Sequence, residues 1–524
     1  MSTASGAVPT KEIQGVKPRK PLSRHGAPLR GLDTAATSQL FQGRFGRMFR
    51  GLPAASFGVD EASNVTNLTA LGKAMVAGLD KPKDQPDAEE SAIPALYTYL
   101  GQFIDHDITF DPASSLQKQN DPNALVDFRT PAFDLDNVYG RGPDDQPFMY
   151  EGNKLLLGDP MTGGAASAAD LPRAKNKNER AIIGDPRNDE NSIVSQLQGL
   201  FFQFHNRMVD QNPTWTFPQV QQAVRFHYQY VVLHDFLPRI VHSHVLSQLK
   251  HNGHFDAHKL EFYHFRNDPF MPVEFSGAAY RFGHSMVRPG YRLNNDDATL
   301  LDIFPGLTGF QKMKPGRAID WARFVDTEIR AYGNPDAPGG AENVRRLQLA
   351  YRIDTSAVNP LGKLPQIIGG DFPSLAERNL LRSYRLGLPS GQAVARAMGV
   401  PVIEDIQIGK ALVPKDPNEP TSSIVDAVNA KGGDGSVFAK ECPLWTYILA
   451  EAAQNQEMVA VPVFPSREIS TPKLGPVGGR IVAEVFLGLM FGDPNSMLSL
   501  DRRWKPPSGS DYKLKDFVKY ALGN

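Results

Sequence analysis

Apolar positions recur along this chain mostly at helical spacing. Leu96, Tyr99, Leu100 and Phe103 fall on one side of a helix, with Pro94 where a first turn tolerates it. Ile193, Val194, Leu197, Leu200, Phe201, Phe204 and Met208 mark a second, long amphipathic helix. Gln219 to Leu249 reads as another long helix, with a break at Pro238. Leu375 to Arg396 includes a helix that carries Asn379 and Arg382 three residues apart, and Ser390 to Met398, Leu444 to Asn455 and Gly478 to Met490 are helical too. Between Thr37 and Gly78 short apolar groups alternate with turns. Strand-like alternation is scarce and no repeat is evident. The pattern predicts a mainly α protein with little β.

Composition narrows the classes. Lys plus Arg is 56 and Asp plus Glu is 57 in 524 residues. That balance argues against a nucleic-acid binder or a binder of anionic membranes, either of which shows a basic excess. One cysteine, Cys442, rules out an intrachain disulfide and a thiolate metal cluster. The most apolar stretch, Ile481 to Phe491, is interrupted by Glu484 and too short to span a membrane, so it reads as a core helix. The first residues lack the charged start and apolar run of a secretory signal, so a cytoplasmic or non-classically secreted protein is expected. Residues 1–33, rich in Lys, Arg, Pro and Gly, read as an extended arm, and 34–524 as the folded domain. Gly140 to Arg187 is a long Gly/Pro-rich connection, expected to line the mouth of a pocket.

Chemistry concentrates in a few places. On the Pro94 helix, Gln102 and His106 lie four residues apart on one face, and Asp105 and Asp107 flank the histidine. Thr130, Ala132, Asp134 and Asp136 alternate, so on an extended chain their oxygens share a side. That suits a hard cation such as calcium, and equally an ordinary Asp-rich turn. Arg187 and Glu190 sit three apart before the second helix, facing either one cavity or solvent. His284 lies in an apolar helical context beside Gly283, where a satisfied core histidine and a haem iron ligand are both open readings. His251, His254 and His258 have ligand spacing but polar neighbours, and surface histidines fit them better than zinc.

In order, the segments GQFIDHD (101–107), TPAFDLDNVYG (130–140), RNDE (187–190), FHNRM (204–208), YRFGHSMV (280–287) and NLLRSYRLGLP (379–389) resemble the animal-type haem peroxidases of the peroxidase–cyclooxygenase superfamily. The segment VGGRIVAE (477–484) looks like the closing helix of bacterial members. The resemblance implies a single large helical domain with haem b between distal and proximal helices. It implies His106 as distal base, with Gln102 and Arg187 beside it, and His284 as iron ligand hydrogen-bonded to Asn379. Asp105 and Glu190 match carboxylates that are ester-linked to haem in several members, and Arg281 and Arg382 match arginines near its propionates. Asp107, Thr130, Ala132, Asp134 and Asp136 match the family's calcium site, and with this added calcium is favoured over a plain turn. Ala132 stands where relatives often have Phe, of little consequence if only its carbonyl binds. Asn191 stands where some members have a methionine, so no sulfonium link is expected.

The activity so implied is reduction of hydrogen peroxide and oxidation of a small donor, a halide, thiocyanate or phenol, through a ferryl intermediate. Two other functions compete. One is a fatty-acid dioxygenase of the cyclooxygenase branch, whose radical tyrosine stands three residues before the proximal histidine. Here that position is Arg281, with Tyr280 one residue further away. The other is a non-catalytic binding module on the same fold. Family analogy points to an extracellular location, which the lack of a visible signal puts in question.

Overall fold

The computed structural model describes residues 43–523 except 78–83, 111–125, 128, 178, 266–267, 296–298, 371 and 413–422. The arm expected at 1–33 lies outside the described residues. The principal helices, in chain order, are α1 (Glu61–Ala74), α2 (Leu96–Ile108), α3 (Ser192–Gln211), α4 (Phe217–Val231), α5 (Leu375–Arg385), α6 (Leu444–Gln454), α7 (Gly478–Gly492) and α8 (Leu514–Leu522). Among the described residues no sheet exceeds three strands, so the fold is mainly α as expected.

α2 forms the centre. Leu100, Phe103, Ile104 and Ile108 are fully buried, each contributing about 1.5–3 kcal/mol of burial. Phe103 stacks on Phe201 of α3 with ring centroids 4.3 Å apart. The helix begins two residues later than Pro94 suggested, because Glu90–Pro94 is a buried strand paired with Leu349–Tyr351. Ala95 offers no side-chain cap. The first amides instead reach backbone carbonyls, Ala95 N to Gln348 and Leu96 N to Phe324, both at 2.9 Å.

α3 starts at Ser192, where Asn191 caps it by accepting from the amides of Ile193 (3.1 Å) and Val194 (2.9 Å). The 219–249 stretch is not broken at Pro238. A π turn, Val232–Phe236, precedes it and Leu237–Ile240 continues the helix, which stops at Val241. Residues in the wider turn relieve the clash a proline ring makes with the turn before it. α7 is a core helix as expected. Buried Glu484 accepts from the amides of Glu261, Phe262 and Tyr263 and pairs with Arg480. No described helix is long and apolar enough to cross a membrane.

Three expectations need correction. α1 occupies part of the segment read as turns; it is rich in Asn, Thr and Gly, so periodicity was weak, but Asp60 and Ser63 form a capping box. A hairpin missed by the pattern pairs Gln456–Val461 with Phe464–Pro472; burial alternates along the first strand, but Met458 stands on its exposed side and Glu457 on its half-buried side, so the residue types do not mark it. In the Gly140–Arg187 connection, the run of small residues 162–169 does not line the cavity beside α2. Met161 N bonds Ala168 O and Thr162 N bonds Pro315 O, with Met161, Met313 and Ala318 packed as a separate cluster.

Candidate active site

α2, the turn before α3, the 279–286 segment and α5 enclose one cavity of ≈ 370 Å³, in the usual size range for a ligand site. His106, Gln102, Asp105, Arg187 and Glu190 line one part; His284, Arg281, Asn379 and Arg382 line another. All of the haem-directed residues singled out in the sequence thus reach this space. Phe304, Leu361, Leu364, Ile368 and Leu375 give it an apolar wall.

His106 is held on the last turn of α2, with 5% of its surface exposed. Its Nδ1 lies 2.6 Å from Asn188 Oδ1. Burial and the nearby Arg187 charge push its pKa down to about 3, so the ring is neutral at pH 7. Arg187 donates through Nη2 to Asp185 Oδ2 (2.8 Å), to the carbonyl of Thr109 (2.6 Å) and to that of His106 (3.2 Å). Its guanidinium also sits 4.5 Å from the Phe110 ring centroid. Asp185, fully buried, accepts from Arg129 as well, and Arg129 bridges to Asp136 at 3.2 Å. Sequence reading passed over Asp185 and Asn188, which flank Arg187; nothing local distinguishes them from turn-forming residues.

The carboxylates behave differently. Burial opposes ionisation of Asp105, but Arg281 and Arg187 outweigh it and hold its pKa below the usual range. Arg281 Nη1 lies 3.4 Å from Asp105 Oδ2. Burial raises Glu190 to about 7 despite Arg187, and Gln102 Nε2 donates to it. Gln102 Oε1 in turn accepts from Asn191 Nδ2 at 3.2 Å.

His284 does not lie on an α-helix. Residues Ala279–Met286 form a 3-10 helix, in which side chains three apart eclipse, so Arg281 and His284 share a face. A Cβ added at Gly283 would meet nothing within 4 Å, leaving room for a flat group. Burial and Arg281 push the His284 pKa down to about 3. Asn379 Nδ2 stands 2.8 Å from His284 Nδ1. Turning that amide end for end puts Oδ1 there, to accept Nδ1–H and leave the Nε2 lone pair for a metal. Arg378, on α5, also lines the cavity beside the expected Arg382 and was not singled out in the sequence. Tyr280 lines it as well, despite the one-residue offset that argued against it. At three residues per turn it stands about 120° round the segment from His284, so the two side chains line the cavity from different faces.

Behind the cavity, Asp107, Asp134 and Asp136 bring carboxylate oxygens within 4.8 Å of one another. Asp107 is fully buried, and neither of its oxygens meets a donor at hydrogen-bonding geometry. Burial, then repulsion from Asp134 and Asp136, raises its pKa well above the carboxylate range, only partly offset by the Tyr228 hydroxyl. Orphaned buried oxygens facing two more carboxylates fit a hard cation. Thr130 and Ala132 are buried on the same loop, but the chain there is curled, not extended. Ala132 N bonds Thr130 O at 2.8 Å and Leu135 takes a left-handed φ of 58°. His251, His254 and His258 are exposed and form no such group.

Residues 115–308 match the family model described as animal haem peroxidase. The chain is 29% identical over 194 residues to the chorion peroxidase of Aedes aegypti, 34% of this chain and 24% of that protein. It is 24% identical over 242 residues to the chorion peroxidase of Drosophila melanogaster, 43% of this chain and 27% of that one. The matches therefore span about a quarter of the length of those relatives. Among solved structures, peroxidase A from Dictyostelium discoideum superposes with a TM-score of 0.58 over 92% of this chain and 93% of its own, at 14% identity. Residues 115–308 are thus similar to the animal haem peroxidase family, and the chain shares the helical fold of peroxidase A from Dictyostelium discoideum.

Proposed function

We propose that this protein is a haem peroxidase that reduces hydrogen peroxide and oxidises a small donor, with calcium bound behind the distal helix. The observation that carries the reading is one cavity lined by two neutral imidazoles, buried His106 and half-buried His284, with the Arg187 guanidinium beside the first. The residues fit haem b. His284 would hold the iron, oriented by Asn379; Gly283 leaves space for the ring; and Arg281, Arg378 and Arg382 supply positive charge for its carboxylates. When bound, haem accepts the oxidising equivalents of peroxide and passes them to the donor.

The chain's own groups do the acid–base work. His106 takes the proton from one peroxide oxygen at Nε2 and returns it to the other, which leaves as water. Its depressed pKa keeps it ready to accept that proton at neutral pH. Arg187, its guanidinium fixed by Asp185, stabilises negative charge on the parting oxygen. Asp105 and Glu190 are the candidates for ester links to haem. Asp107, Asp134 and Asp136, with the Thr130 and Ala132 segment, would hold calcium and brace the end of α2 against its loop. Hydrogen peroxide and a small halide, thiocyanate or phenol are the proposed substrates.

Guaiacol oxidation that requires peroxide tests the activity. His106→Ala and Arg187→Ala should keep haem yet form the first oxidised species at least about 100-fold more slowly. Normal rates in both variants would refute their roles. A second reading, fatty-acid oxygenation, keeps one observation in its favour. Tyr280 lines the cavity with a buried hydroxyl that has no hydrogen-bond partner. Oxygen uptake with linoleate, abolished by Tyr280→Phe, would select it.

A further inference from the structure

A carboxamide has one donating and one accepting end of nearly equal shape, so its direction is set by partners that cannot reverse. Beside His106 such a partner exists. The backbone carbonyl of Asn137 can only accept, and Gln198 Nε2 lies 3.2 Å from it. With its nitrogen committed there, Gln198 presents Oε1 to Asn188, whose Nδ2 donates to it at 2.7 Å. Asn188 then has only Oδ1 left to face His106 Nδ1, at 2.6 Å. An oxygen there accepts, so Nδ1 carries the proton and Nε2 keeps its lone pair. The path closes on itself: Asn137 Nδ2 donates to the carbonyl of Phe103, one turn before His106 on α2, at 3.2 Å. Asn137, Asn188 and Gln198 are fully buried, so water offers no competing partner.

We propose that Asn188, directed by Gln198 and the Asn137 carbonyl, is a positioning residue that fixes the tautomer and aim of the His106 imidazole. The chain of direction begins at a backbone group and ends at the ring, so neither amide can turn without breaking two buried hydrogen bonds. A ring free to turn or to move its proton to Nε2 would present a donor, not a base, to a ligand in the cavity. The consequence for peroxide rests on the peroxidase reading; the placement of the ring proton does not.

The test is nuclear magnetic resonance of isotope-labelled histidine in the carbon monoxide complex of the reduced holoenzyme, with peroxide kinetics measured in parallel. Wild type should show His106 protonated at Nδ1 alone. Asn188→Leu, with haem absorbance and circular dichroism retained, should show Nε2–H or a mixture of tautomers. It should form the oxidised species about 10- to 100-fold more slowly, with the KM for guaiacol unchanged. Asn188→Asp, which keeps an acceptor at the same place, should restore the Nδ1–H signature and most of the rate. Gln198→Met leaves Asn188 undirected and should give the mixed signature even if the leucine variant does not fold. Nε2–H in wild type, or an unchanged signature in both Asn188→Leu and Gln198→Met, overturns the proposal. A wild type that binds no haem defeats the peroxidase reading instead, and the tautomer measured in the chain as purified still decides this one.

Discussion

Removing calcium from the proposed site behind α2 should measurably weaken the fold. The oxygens of Asp107, Asp134 and Asp136 lie within 4.8 Å of one another. At an effective dielectric of about 20, each ionised pair at that distance repels by roughly 3.5 kcal/mol. Arg129, 3.2 Å from Asp136, relieves part of this, and Asp136 is partly exposed, so a few kcal/mol is the scale. A cation at 100 times its dissociation constant adds about 2.7 kcal/mol. Unfolding entropy of about 2.1 cal/mol/K per residue, over a chain of 524 residues, turns this into a rise of about 2–3 °C in Tm. The assay is calorimetric melting with calcium and with chelator, for wild type and Asp107→Asn. Chelation should lower the wild-type Tm by that amount and shift the variant by less than half as much. Amide exchange should accelerate at the end of α2 in the chelated wild type. Equal melting with and without calcium, and no heat of calcium binding, would refute the site.

Other consequences follow from single residues. Glu190, raised to about 7 by burial, contributes stability that is full below about 4.5 and lost as pH rises through about 7. In haem-free protein, Glu190→Gln should therefore gain about 3 kcal/mol over wild type at pH 8 and almost nothing at pH 4, read by denaturant melts; a pH-independent difference would reject the assignment. Phe103→Ala should destabilise by about 3–5 kcal/mol, since the ring is fully buried against Phe201, and a loss under 1 kcal/mol in urea unfolding would contradict that packing. Asn379→Ala should speed haem transfer to an excess of apomyoglobin about 10- to 100-fold, and an unchanged transfer rate would sever Asn379 from His284.

What the sequence disclosed and what it hid divide along a physical line. α2 and α3 were visible because long apolar stripes have a period that local chemistry cannot mimic. The shared cavity was reachable only through motif resemblance, since His106 and His284 are far apart in the chain and no spacing rule connects them. The start of α2 shifted because Pro94 serves a strand whose partner, Leu349–Tyr351, is remote. The 3-10 winding at 279–286 escaped for a related reason: Tyr280, Phe275 and Phe486 pack together there, and tertiary packing selected the tighter turn. Asn188 and Gln198 look like ordinary polar residues in sequence; only the fold aligns their amides on His106. The curl of the 130–136 loop likewise depends on a local Ala132–Thr130 bond that alternation does not predict.

The central claim is that His284 holds a haem iron across the cavity from His106. Haem titration of the wild-type chain and of His284→Ala, followed by Soret absorbance per protein, tests it most directly. One equivalent should bind to wild type, with a Soret band that shifts when peroxide is added, and the alanine variant should lose or greatly loosen that haem. Equal absorbance and an equal peroxide response in the two proteins would contradict the account.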